Sequence, residues 1–194
     1  MAPMLNDTSS PLALLSTRRS GKPRDLVAPG PDAAQLAQML EIAARTPDHG
    51  KLAPWRFVVV PADRRDALSD LLTSAYLAER PQAARLEIEA LDQFAHQAPT
   101  LVVVLSAPKV ESHIPLWEQE LSTGAACMNL LHAAHAMGFA GGWLTGWSAY
   151  SDTVRDAFGA APEKIAGFVF IGTVSKPLEE RPRPESDKIV RYWT

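Results

Sequence analysis

The chain has 194 residues, 46% of them hydrophobic and 21% charged, ordinary globular usage that excludes a disordered, collagen-like or coiled-coil protein and suits one compact domain. A formal charge of −3 leaves no global positive field for nucleic acid or an anionic membrane, so any anion must be bound locally. The single cysteine, Cys127, rules out an internal disulfide and a Cys-rich zinc site and suits a reducing cytosol.

In chain order, segment 1–11 reads as flexible, and residues 12–17 as a short helix running into Arg18-Arg19-Ser20. Asp7 stands where a secretory leader carries positive charge, so a cytoplasmic protein is expected. A proline-marked loop spans Gly21 to Pro31. Asp32 then caps a helix whose Leu36, Met39, Leu40 and Ala43 repeat on one face, ending before Pro47. WRFVVV at 55–60 is a short run of strand formers and predicts a buried strand. Helices follow at about 62–79 and 82–96, separated by Pro81. TLVVVLS at 100–106 predicts a second buried strand, 116–137 a long helix stopped by Gly138, 139–145 a weaker strand and 165–174 the last one. Strands separated by helices predict a sheet with helices on its faces and leave the strand pairing open. No charged side chain occurs from Leu121 to Ser151, but glycines at 138, 141, 142 and 146 interrupt that stretch and argue against a membrane span. The tail from Ser175 is charged and Pro-rich, yet it carries Ile189, Val190, Tyr192 and Trp193. Segment 176–194 therefore reads as an arm on another subunit.

His132 and His135 share a face of the long helix, the geometry of a two-histidine clamp, but no third ligand has matching spacing and no metal is expected. Cys127 lies in an apolar helix with no cation nearby in sequence, so it reads as a core residue. No GxSxG elbow is present, and the glycines of GFAGGWLTG lack the spacing of a dinucleotide-binding GxGxxG. Two segments remain unexplained by packing. Arg18-Arg19-Ser20, with Lys22 and Arg24 behind it, puts four cations within seven residues of an acidic chain. Paired guanidiniums with a hydroxyl suit a phosphate dianion, while a solvated basic turn is the plain alternative. The segment from Arg45 to Phe57, RTPDHGKLAPWRF, crowds ionisable groups into a turn ahead of a strand. Turns held by rigid elements are where sites are built, and capping by Asp48 and Gly50 is the alternative there.

RRS, RTPDHGKLAPWRF, WEQELSTGAACMNLLHAAHAMGFAGGW and KIAGFVFIGTVSKP, in that order, together resemble the FMN-dependent nitroreductase family, most closely its short branch of NAD(P)H nitroreductases. The resemblance spans nearly all of residues 12–194. It implies a three-layer α/β/α fold of the α+β class, with a mixed, mainly antiparallel sheet, in an intertwined homodimer with FMN at the subunit interface. Arg18, Arg19 and Ser20 match the segment that holds the flavin phosphate. Arg45 and His49 match flavin contacts of the PDH turn, and Trp143, Leu144 and Thr145 match a strand that closes the site from the partner chain. The stretch Ala133, Ala134, His135, Ala136, Met137, Gly138 matches the part assigned to NADH or NADPH. The implied activity is hydride transfer from NAD(P)H through flavin N5 to a nitroaromatic, quinone or similar small electrophile, in a ping-pong order and without a side-chain nucleophile. Lys51, Arg45 and His49 are the candidates to stabilise negative charge on the reduced flavin. The resemblance leaves two alternatives: a relative whose reduced flavin reacts with oxygen or removes halide, and a non-catalytic flavin-binding protein.

Overall fold

The computed structural model describes residues 4–194. Helix α1 (Pro11–Thr17) starts where Ser10 Oγ accepts the Ala13 N–H at 3.1 Å and Pro11 fills the first turn, where no amide donor is required. The flexibility expected of 1–11 falls, for 1–3, outside the described residues. Residues 6–10 are tied down: Asn6 N–H donates to Thr17 O at 3.0 Å and Asp7 N–H to Thr17 Oγ1 at 2.9 Å. Helix α2 (Ala33–Ala43) carries the expected Asp32 cap, completed by Gln35 into a reciprocal capping box.

Strands β1 (Leu26–Val27), β2 (Trp55–Val60), β3 (Thr100–Ser106), β4 (Ala140–Leu144) and β5 (Lys164–Val174) form one sheet. It is mainly antiparallel, as the resemblance implies, and among the described residues every pairing is antiparallel. The long β5 is the organising strand, pairing with β3, β4 and β1, while β2 ends the sheet beyond β3. The two-residue β1 lies in the stretch expected to be loop; so short a strand has no periodicity to read.

Helices α3 (Arg65–Glu79) and α4 (Arg85–His96) begin three residues later than their hydrophobic patterns suggest, α3 because Ala62–Arg64 forms a 3₁₀ turn. Helix α5 (Leu116–Ala136) ends as expected, Gly138 taking φ +84° to turn the chain into β4. Short helices α6 (Trp147–Tyr150), α7 (Asp152–Phe158) and α8 (Ser186–Ile189) give no signal of their own in the sequence. No helix among the described residues is long and apolar enough to cross a membrane.

Both faces of the sheet are covered, which explains why β3 is buried at all seven positions. Its alternate residues enter different cores. Leu101, Val103 and Leu105 join Phe168 and Phe170 of β5 under α3, α4 and α7, whereas Val102 and Val104 join Val169 and Ile171 under α2 and α5. Phe94 of α4 meets Phe168 and Phe170 edge-on, at 5.1 and 5.2 Å between centroids. This three-layer packing fixes α5 against one face of the sheet, and the candidate residues are arranged along α5.

Candidate functional site

The RTPDHGKLAPW turn is held against α5 by side chains the sequence pattern did not single out. Asn129 Nδ2 donates to Thr46 Oγ1 at 2.7 Å, and Thr123 Oγ1 donates to the Pro54 carbonyl at 2.8 Å. Asp48 Oδ2 accepts the Ala53 N–H at 2.8 Å, closing the turn around Gly50, Lys51 and Ala53, whose φ values are +77°, +56° and +46°. Two non-glycine residues in the left-handed region mark a turn whose shape its surroundings impose. His49 Nδ1 lies 2.8 Å from Glu118 Oε2 in the first turn of α5, with both side chains solvated. Lys51 and Arg45 are exposed.

The motif WEQE acquires a physical meaning here. Glu118 holds His49, while the amide of buried Gln119 accepts from Lys109 N–H at 2.8 Å and donates to Ile114 O at 3.0 Å, pinning the loop ahead of α5. Glu120 pairs with Lys164 of β5 at 2.9 Å. Trp117 is left 69% exposed, and Leu116 and Leu121 beside it are exposed as well.

The Arg18-Arg19-Ser20 segment packs at the other end of α5. Glu118 and His135 are about 25 Å apart along the helix at 1.5 Å per residue. Arg18 is half-buried, and its Nη1 donates to Ser20 Oγ at 3.1 Å. Asn6 grips the main chain of Arg19, accepting its N–H at 2.7 Å and donating to its carbonyl at 3.1 Å. Gly21 N–H donates to Gly141 O on β4 at 3.1 Å, and a Cβ on Gly142 would come within 2.8 Å of Gly21 O, so glycine is required for this close approach.

The tail returns to the same place. Arg19 Nε donates to Glu179 O at 2.7 Å, and Arg183 Nη2 reaches Arg18 O at 3.4 Å. Burial, then the charges of Arg183, Arg19 and Arg181, push the Arg18 guanidinium below its ordinary pKa, opposed by Glu180. A guanidinium stays charged regardless, so the consequence is a concentrated positive potential in an acidic chain. That potential and the Ser20 hydroxyl fit a phosphate dianion. That Arg181 and Arg183 come near Arg18 was not legible in the sequence, because nothing local in a Pro-rich tail says where it folds back.

Trp143 and Leu144 line a cleft of about 340 Å³ together with Arg19, Ser20 and Gly21 of their own chain. Trp143 Nε1 donates to Ala166 O at 3.0 Å, its indole lying over Gly167, where a Cβ would collide with it. Thr145 is exposed beyond the strand. Trp143 and Leu144 thus flank Ser20 within one chain, because β4 pairs with β5 and receives Gly21 on its edge.

The stretch 133–138 also divides. Ala133, Ala134 and His135 are buried, the alanines in the core under α2 and α5. The two alanines face the protein interior, while His135 borders a cleft of about 500 Å³ with Gly138 and Glu180. Ala136 and Gly138 are exposed and Met137 is partly so. Burial raises the Cys127 thiol to about 12, in keeping with a core residue.

Residues 15–173 match the family model described as "Nitroreductase family". The chain belongs to that family. It is 36% identical over 174 residues to a Haemophilus influenzae protein named "Putative NAD(P)H nitroreductase", covering 89% of this chain and 92% of the relative. The same identity holds over 166 residues to YdjA of Escherichia coli K12, which carries the same description, covering 84% and 87%. Among solved structures, a nitroreductase-like family protein from Bacillus cereus superposes with a TM-score of 0.79 at 22% identity, over 95% of this chain and 96% of that one. A nitroreductase with bound FMN from Bacteroides fragilis superposes with a TM-score of 0.70 at 21% identity, over 93% and 97%. At these identities the structures establish a common fold, the α+β nitroreductase fold.

Proposed function

We propose that this nitroreductase is an FMN-dependent oxidoreductase that uses NADH or NADPH to reduce nitroaromatics, quinones or similar small electrophiles in a ping-pong order. One observation carries the reading: the Arg18 guanidinium meets the Ser20 hydroxyl, and the charges of Arg183, Arg19 and Arg181 act on it, against that of Glu180, in a chain of net charge −3. When bound, FMN supplies the two-electron chemistry, accepting a hydride from the nicotinamide and returning it to the second substrate. The chain's own contribution is binding and charge. Arg18 and Ser20 would hold the phosphate, with Arg19 fixed at its backbone by Asn6. Trp143 and Leu144 would wall the cleft beside them. Lys51, Arg45 and His49 would bring positive charge or an N–H to the flavin ring.

The turn that carries these last residues runs along α5 away from Arg18. We therefore assign the complete site to a homodimer, one subunit supplying the phosphate end and its partner the PDH turn. Exposed Leu116, Trp117 and Leu121 on α5, and Ile189, Val190, Tyr192 and Trp193 in the tail, are the apolar surface such a dimer would cover. A cytoplasmic location agrees with the single reduced cysteine.

The test is direct. The purified protein is expected to carry yellow flavin absorbance that NADH or NADPH bleaches anaerobically and a nitroaromatic or quinone restores. Absence of bound flavin overturns the reading; bound flavin that neither nicotinamide bleaches leaves a non-catalytic flavoprotein. Removing residues 176–194 is expected to weaken association and release FMN together, as read by light scattering; an FMN-loaded monomer would refute the shared site.

A further inference from the structure

His135 lies in the last turn of α5, 1% exposed. Both ring nitrogens face carbonyl oxygens: Nδ1 is 2.6 Å from Leu131 O, and Nε2 is 3.3 Å from Arg19 O. A neutral imidazole has one N–H to give. The shorter contact takes it, so Nδ1–H donates to Leu131 and the Nε2 lone pair confronts the Arg19 carbonyl. Only the imidazolium donates to both. The Arg19 main chain, which links Arg18 to Ser20, is thus gripped by Asn6 and met by a ring that can fasten it, while keeping its bond to Leu131 O, only when protonated.

We infer that His135 is a proton-linked latch on the anion-binding segment: a phosphate monoester held at Arg18 and Ser20 and a proton on His135 favour each other, the protonated ring fastening the Arg19 carbonyl. That the phosphate is FMN's rests on the function proposed above. Burial opposes the second proton most strongly, the positive charge of Arg18 and neighbouring His132 oppose it further, and the Leu131 and Arg19 carbonyls favour it. In the free chain His135 is accordingly held below the usual histidine range. Arg18 is surrounded in turn by Arg19, Arg181 and Arg183, with Glu180 against them; Glu180 and His135 border one cleft of about 500 Å³. A dianion at Arg18 offsets the largest charge acting on His135 and raises its pKa. Linkage then makes phosphate affinity rise as pH falls through the interval between the free and bound midpoints.

The sequence has five histidines, and His135→Gln identifies the imidazole resonance of His135 by its loss. Inorganic phosphate, added to the wild-type protein at constant ionic strength, is expected to move the midpoint of that resonance upward. An unmoved midpoint overturns the latch, whether or not FMN binds. The second readout is FMN affinity relative to that of riboflavin, which lacks the phosphate. In the wild type this ratio is expected to rise, as pH falls across the interval, by up to about tenfold per pH unit more than in His135→Gln, because one proton is taken up per phosphate bound. The glutamine amide donates to Arg19 O without a proton, and the phosphate's own titration is common to both proteins. Equal slopes overturn the latch and leave the FMN reading standing. Failure of FMN to bind either protein sinks the FMN reading alone, and the phosphate titration still decides the latch.

Discussion

The two ends of α5 hold their loops by different means. At the C-terminal end, Arg19 is held at its main chain by Asn6 and at its side chain by the tail, Gly21 two residues on is tied to β4, and the ring that faces Arg19 is buried. At the N-terminal end, Asn129 and Thr123 anchor the two flanks of the PDH turn, but its tip meets the helix through one solvated pair, His49 and Glu118, beside an uncovered Trp117. Hydrogen bonds shielded from water define a geometry, whereas an exposed ion pair contributes about 0–1 kcal/mol and constrains little. The segment at one end is therefore fixed at its centre within a single chain, whereas the turn at the other is fixed at its flanks and open at its tip.

The largest effect that separates the two ends is expected from Arg18→Ala. Losing a charge-assisted contact to a phosphate should cost about 1.5–3 kcal/mol, roughly 10- to 150-fold in FMN affinity. Titration of FMN into the apo variant measures it, and wild-type affinity would remove Arg18 from the site. Asn6→Ala attacks the same end without touching charge. Losing both bonds to Arg19 is expected to lower stability by about 1–2 kcal/mol, or roughly 2–8 °C in Tm for a chain of this size, together with FMN affinity. A lower Tm with unchanged affinity would mean that the Arg19 backbone need not be held for the anion to bind.

The same contrast governs what could be read from the sequence. The strands 55–60 and 100–106, the Asp32 cap and the Gly138 stop are local signals of hydrophobic runs and capping, and each element forms where it was expected. Arg18, Arg19 and Ser20 were visible because cations cluster in sequence. Asn6, Arg181 and Arg183 were not, since their importance comes from contacts that span from 13 to more than 160 positions. The burial of the alanines at 133 and 134 was not legible, because a motif gives order along the chain, while which helix face meets the core is decided by β3 and β5 on the other side. Helices α6 and α7 are too short to show a period; Trp147 and Ser151 there are secured by Glu79 of α3, at 2.6 and 2.9 Å.

At the open end the expected effects are smaller. Lys51, exposed with φ +56°, is expected to stabilise the reduced flavin by charge alone. Lys51→Met should then lower the FMN reduction potential by about 30 mV, the equivalent of ~1.4 kcal/mol for two electrons. An unchanged potential in spectroelectrochemical titration, with unchanged anaerobic bleaching by NAD(P)H, would leave His49 and Arg45 as the charged candidates.

The smallest effect is expected at Glu118. Its carboxylate meets His49 Nδ1 at 2.8 Å with side chains 42% and 62% exposed, so solvent screens the attraction. Glu118→Gln keeps an oxygen that can accept the Nδ1–H and removes only the charge. Combined with His49→Asn in a double-mutant cycle on thermal stability, the pair should show a coupling of about 0.2–1 kcal/mol, within the range of exposed ion pairs. The cycle also reports on what lies over α5. Measured at concentrations where the protein is a dimer, a coupling well above ~1 kcal/mol would mean that the pair is shielded from water by the second subunit. A coupling that stays small in the dimer would mean that the PDH turn remains open to solvent at His49, leaving room there for the second substrate to enter.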